Sequence, residues 1–250
     1  MSKILEIKDL GLIYQTKDKE LEAIKNISFS VESGEFVGIV GPSGCGKSTL
    51  LSLIAGLIKP TNGTISLSEN AHSTGYMLQK DYLFSWRTIW ENVILGLEIK
   101  KAKTKENLEK VERLLKTYGL YEFKNAYPDE LSGGMRQRCA LIRTLATNPD
   151  ILLLDEAFSA LDYQTRLAVA DDIYSIIKKE NKTVLMVTHD ISECVSLSDK
   201  VIVLSNRPAT VKNEYKIDFG DEFLTPLQKR DQPLFSQYFN KIWGDIDIHV

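Results

Sequence analysis

Short apolar runs alternate along this chain with segments whose apolar residues recur every three or four positions. The runs FVGIV (36–40), ILLL (151–154), TVLMV (183–187) and VIVL (201–204) are apolar throughout, the pattern of strands covered on both faces. Nearer the N-terminus, residues 4–10 read as a strand, and Ile27, Phe29 and Val31 alternate with polar neighbours as a half-buried strand does. Between the later runs, Val169, Ile173, Ile176 and Ile177 share one helix face. KSTLLSLIAGLI (47–58) reads as a helix closed by Lys59-Pro60. Short buried strands alternating with amphipathic helices predict an α/β fold with a mainly parallel sheet.

The middle differs. From about 81 to 145 the strand pattern gives way to a helical one, which predicts a helical subdomain inserted into the α/β core. Its charged stretch KKAKTKENLEKVERLLK (100–116) reads as a solvated helix face. The tail, about 220–250, carries the aromatic-rich FSQYFNKIW (235–243) and predicts a terminal helix packed on the core. At 250 residues, without repeats or low-complexity tracts, the chain reads as one domain bearing an insertion.

Charge and cysteine content narrow the function classes. A net charge of −3 offers no general field for polyanions, so no nucleic-acid partner is expected. Cys45, Cys139 and Cys194 have neither metal-ligand nor disulfide spacing, which suggests a reducing compartment. The N-terminus lacks the apolar stretch of a signal peptide, and no run approaches the ~18–20 apolar residues of a membrane span. The expected location is cytoplasmic, with any membrane link made through a partner.

One loop carries specific chemistry. Gly41-Pro42-Ser43-Gly44-Cys45-Gly46-Lys47-Ser48-Thr49 follows a buried strand, opens a helix and satisfies G-x-x-x-x-G-K-[ST]. Glycines let backbone N–H groups turn inward around phosphate, and the helix aims its positive end at the same anion. Lys47 is placed for the β- and γ-phosphates and Ser48 for Mg²⁺, so ATP with Mg²⁺ is the expected ligand. In ILLLDEAFSALD (151–162), two acids end an apolar strand, costly to bury unless they hold a cation or a proton. Asp155 is the candidate to hold Mg²⁺, and Glu156 the candidate base for the attacking water. Cys45 reads either as a small residue that fits the loop or as a thiol activated by Lys47 and the helix end.

LSGGMRQR (131–138), lying between the glycine loop and the acidic strand, resembles the signature of ATP-binding cassette (ABC) ATPases, and the resemblance covers essentially the whole chain. It implies a P-loop NTPase core with an antiparallel β subdomain at the N-terminal side and an inserted helical subdomain. It also implies further site residues. Gln79 in GYMLQK resembles the glutamine that senses Mg²⁺ and the γ-phosphate, and His189 in TVLMVTHD resembles the switch histidine. Ser159-Ala160-Leu161-Asp162 resembles the D-loop, whose aspartate bridges two subunits. Tyr14 resembles the aromatic that stacks on adenine, or is plain core. Ser132, Gly133 and Gly134 open a predicted helix, and the resemblance implies that they close over nucleotide held by a second copy in a head-to-tail dimer.

With no span of its own, the chain is expected to serve a separate membrane permease, docked near Gln79, and indirectly a solute-binding protein. Its expected location is thus peripheral, on the inner face of the cell membrane. Trp86 and Trp90 read as part of that docking groove or as subdomain core. FSWRTIWENV (84–93), HDISECVSLSDKV (189–201) and VIVLSNRPATV (201–211) resemble runs of the nitrate/sulfonate/taurine importer branch, whose substrates include thiamine precursors. Ser85, Cys194 and Ala209 depart from that pattern. An exporter cassette or a non-transport ABC ATPase are the alternatives.

Overall fold

The apolar runs become strands, and the parallel pairing of those strands decides where the site lies. The computed structural model describes residues 2–15, 19–69, 71, 73–159, 161–221 and 223–246. In chain order its elements begin with β1 (Lys3–Gln15), β2 (Glu20–Glu32), β3 (Phe36–Val40), α1 (Lys47–Ile54), β4 (Asn62–Leu67) and β5 (Thr74–Met77). Next come α2 (Ile89–Val93), α3 (Leu95–Ile99), α4 (Lys105–Thr117), α5 (Gly133–Ala146), β6 (Ile151–Asp155) and α6 (Tyr163–Lys179). The chain finishes with β7 (Thr183–Val187), α7 (Ile191–Leu197), β8 (Lys200–Leu204), β9 (Val211–Lys216), α8 (Pro226–Arg230) and α9 (Pro233–Ile246).

Two sheets form. One is antiparallel, in the order β2-β1-β4; the other has the order β5-β6-β7-β3-β8-β9 and is parallel except for β9. The parallel strands are sandwiched. Leu152 and Leu154 of β6 join one hydrophobic cluster while Ile151 and Leu153 join another, and β7 splits Val184 and Met186 from Leu185 and Val187 in the same way. This is the period-two consequence of covering both faces. Each such side chain contributes about 1.5–3 kcal/mol on burial.

The first cluster is closed by α5, α6 and the helices between β5 and β6; Val169, Ile173, Ile176 and Ile177 of α6 all face it. Helix α4 buries Val111, Leu114 and Leu115 in that cluster and leaves most of its charges in solvent. The second cluster lies between the two sheets and α1, and the third gathers α7, β8 and α9 around the buried Ile242.

Two expectations are revised. The helix after the glycine loop stops at Ile54 rather than running to residue 58. Gly56 takes φ +70°, a left-handed conformation that ends a helix, so glycine and not Lys59-Pro60 terminates it. The N-terminal strands are also longer than their alternation suggested, because β1 and β2 pair along thirteen residues each. Among the described residues no helix is long and apolar enough to cross a membrane.

Candidate nucleotide site

Parallel pairing brings the carboxyl ends of β3, β5, β6, β7 and β8 to one edge, where ligands bind in open α/β sheets. The glycine loop leaves β3 there, Gln79 lies just past β5, Asp155 ends β6, and His189 lies just past β7. Residues distant in sequence thus share one cleft. A cavity of about 300 Å³ is lined by Ser43, Gly44, Gly46, Lys47, Ser48, Thr49, Glu156 and Arg207.

At the floor of the loop, Gly46 takes φ +128°, open in practice to glycine alone, and serves as the N-cap of α1 without a side-chain hydrogen bond. The first N–H groups of α1 therefore lack the usual side-chain acceptor and can serve an anion. Lys47 is 7% exposed, and its ammonium donates to the carbonyls of Gly41 (2.8 Å) and Pro42 (3.0 Å). Two of its three N–H donors are used, which leaves one for a phosphate oxygen.

The acidic side is as closely knit. Ser48 Oγ donates to Asp155 Oδ1 at 2.8 Å, and Tyr76 Oη donates to Asp155 Oδ2 at 3.0 Å. Burial, reinforced by the Asp155 charge, pushes the Tyr76 hydroxyl up to about 12, so it stays a donor at neutral pH. A hydroxyl and one carboxylate are hard oxygen donors suited to Mg²⁺, which takes few protein ligands beside substrate phosphates.

Glu156 is held at φ +46°, strained for a non-glycine residue at a cost of about 1–3 kcal/mol, and its N–H donates to the Val187 carbonyl at 2.9 Å. Its Oε2 accepts from Gln79 Nε2 at 3.2 Å and lies 3.3 Å from His189 Nδ1. Gln79 Nε2 also donates to Ser159 Oγ at 3.0 Å. With that amide NH₂ engaged, the amide oxygen is what Gln79 has left for a cation. Just past His189 in the chain, α7 buries Glu193, whose carboxyl is pushed up to about 7 by burial; a Thr188 hydrogen bond and the nearby Arg166 and Arg230 oppose the shift, and Asp190 adds to it.

The structure brings together Gly41 to Thr49, Asp155, Glu156, Gln79 and His189. Tyr14 joins them at the rim, 38% exposed, with Oη 3.4 Å from Thr49 Oγ1, so it is not plain core. Ser132, Gly133, Gly134 and Asp162 do not line the cavity. Ser132 caps α5 by accepting from the Met135 N–H at 3.3 Å, and Asp162 caps α6 by accepting from Thr165 N–H at 3.1 Å; the Thr165 side chain first, and this N–H second, lower the Asp162 pKa. Within the D-loop, Ala160 lies outside the described residues.

Of the two readings of Cys45, the structure favours the small residue that fits the loop. The residue is buried, and desolvation raises its pKa against the opposing pull of Lys47. Trp90 packs partly buried against the first core cluster, whereas Trp86 is 72% exposed and lies beside Phe84. Sequence reasoning missed Tyr76 and Arg207 as site residues. Both sit on strands or loops whose spatial neighbours are remote in sequence; Arg207 was visible only inside the VIVLSNRPATV run.

Comparison with known proteins agrees with this fold. The family model described as ABC transporter matches residues 24–159. The chain is 44% identical to the uncharacterized ABC transporter ATP-binding protein YtlC of Bacillus subtilis, covering 94% of this chain and 92% of that protein. It is 41% identical to the nitrate import ATP-binding protein NrtD of Synechocystis, covering 95% and 93%. Among solved structures, the dimeric post-hydrolysis state of the ATP-binding cassette MJ0796, bound to ADP and Pi, superposes with a TM-score of 0.72 at 32% identity. The match covers 86% of this chain and 99% of that one.

Proposed function

The chain belongs to the ABC transporter ATP-binding family, and from that premise we propose that it hydrolyses MgATP to drive solute import through a separate membrane permease. The observation that carries the proposal is the convergence on one cavity of a phosphate loop, a Ser48–Asp155 oxygen pair and a Glu156 held between Gln79 and His189.

In this reading the α1 N-terminus and Lys47 bind the β- and γ-phosphates, and Tyr14 meets the adenine. Ser48, Asp155 and the Gln79 amide oxygen would hold Mg²⁺, which supplies charge neutralisation on the phosphates when bound. Glu156 accepts the proton of the attacking water. Its strained backbone and its two side-chain partners fix the carboxylate before the water arrives, which reduces the reorganisation left for the reaction. Asp162 bridges to a second copy, and that copy's signature end completes each site. Residues 81–145 act as the subdomain on which the permease docks, with Trp86 at its surface, and the pair works on the inner face of the membrane. A solute-binding protein would deliver the cargo.

The importer reading draws on the likeness to NrtD and on the three runs similar to the nitrate/sulfonate/taurine branch. The experiment is Glu156→Gln. It keeps the size and one acceptor of the side chain but cannot take a proton, so phosphate release falls ~10²–10⁴-fold while MgATP binding persists. Undiminished turnover would remove Glu156 from the role of base.

A further inference from the structure

We propose that Arg207 is a second cationic contact to the nucleotide polyphosphate, beside Lys47; the inference rests on the ATP-site reading above and extends it to a residue outside the glycine loop.

The fold delivers Arg207 to the loop by register. β8 pairs in parallel with β3, with Val203 opposite Val40, so the segment after β8 leaves the sheet beside the segment that becomes the glycine loop. That segment is pinned. Ser205 N–H donates to the Thr210 carbonyl at 2.9 Å, and Thr210 N–H donates to Ser205 Oγ at 2.9 Å. Ala209, fully buried, exchanges backbone bonds with β2: its N–H donates to the Ala23 carbonyl at 3.0 Å, and its carbonyl accepts from Lys25 N–H at 2.9 Å. An arginine on such a braced turn is presented at a fixed place.

Its guanidinium donates to the Gly44 carbonyl and lines the same cavity as Lys47 and Ser48. One nitrogen is occupied by that carbonyl, while a guanidinium carries five N–H donors in a planar fork that suits phosphate oxygens. Among the described residues, no carboxylate lies within ion-pair distance of Arg207. Among the described residues the positive charge therefore stands at the cavity wall without an ion-pair partner. A polyphosphate bound on the loop would supply one. The single bond to Gly44 could also act as a plain staple, and for that an uncharged donor would serve as well.

Substitutions separate these roles. MgATP binding to the full chain is measured by calorimetry for Arg207→Ala, Arg207→Lys and Arg207→Gln, with thermal unfolding without nucleotide recorded for each. Loss of a charged hydrogen-bonding group weakens binding about tenfold or more, so Ala and Gln both lose affinity by that amount. Lys, which keeps the charge but not the planar fork, loses less affinity than Ala or Gln. Unfolding midpoints stay level across the set. If Gln binds like the parent, the staple accounts for the residue and the proposal falls; unchanged affinity in Ala overturns it as well. If the parent chain itself binds no MgATP, the site reading fails first, which is a distinguishable result.

Discussion

Helices α1 and α5 both open on glycine-containing loops that point backbone N–H groups outward, yet the two ends are furnished differently. The α1 end has no side-chain cap, and it gathers Lys47, Ser48, Asp155, Glu156, Gln79 and His189 from four separate stretches of its own chain. The α5 end is capped by the exposed Ser132, and the atoms nearest a Cβ at Gly133 or Gly134 belong to Leu161, Val169, Thr165 and Arg136, with no carboxylate among them. On the proposed function, the first end is an anion site with its base attached. At the other, among the described residues, no carboxylate lies against the two opening glycines. The difference is the physical case for the proposal that the two ends are halves of one site, joined only between two copies.

The largest expected effect tests whether the α5 end handles phosphate at all. Ser132→Asp keeps an N-cap of equal quality, so stability without nucleotide should change by less than about 0.5 kcal/mol. It also places a negative charge where the partner's γ-phosphate would sit. Loss of a preorganised donor of this kind costs about 10²-fold or more in turnover. Normal phosphate release in this variant would dissolve the contrast between the two ends, since α5 would then be merely a capped helix.

A smaller effect marks the α1 half by pH. Glu193 is buried on α7, soon after His189 in the chain, and burial raises its carboxyl from an ordinary 4.5 to about 7, while no comparable carboxyl shift is found on α5 among the described residues. A raised carboxyl pKa means that folding favours the protonated form. That contribution is fully present below about 4.5 and is lost as pH rises through about 7, a total of roughly 3 kcal/mol. Denaturant unfolding at pH 5 and 7.5 should show the loss in the parent and a flatter profile in Glu193→Gln. Equal slopes in both would place the pH dependence elsewhere.

What could be read from the sequence follows from the range of each signal. The uninterrupted runs at 36–40, 151–154 and 183–187 announced strands buried on both faces, and the loop at 41–49 announced phosphate through local backbone chemistry alone. Tyr76 and Arg207 were not legible as site residues, because their importance depends on β5 pairing with β6 and β8 with β3, neighbours that are distant in the chain. The end of α1 was missed because a left-handed Gly56 outranked the nearby proline. The choice between the two readings of Cys45 turned on burial, which is invisible in one sequence and outweighs the charge of Lys47.

The claim that two half-sites pair between copies is tested most directly by mixing. Chains carrying Lys47→Ala lack a working α1 half, and chains carrying Ser132→Asp lack a working α5 half, so each variant alone should hydrolyse ATP at no more than about 1% of the parental rate. In an equimolar mixture, half of the pairs are mixed and each contains one intact composite site, which predicts recovery of about a quarter of the parental rate. A mixture that stays at the level of the separate variants, while a tag on one chain recovers the other, would contradict the account.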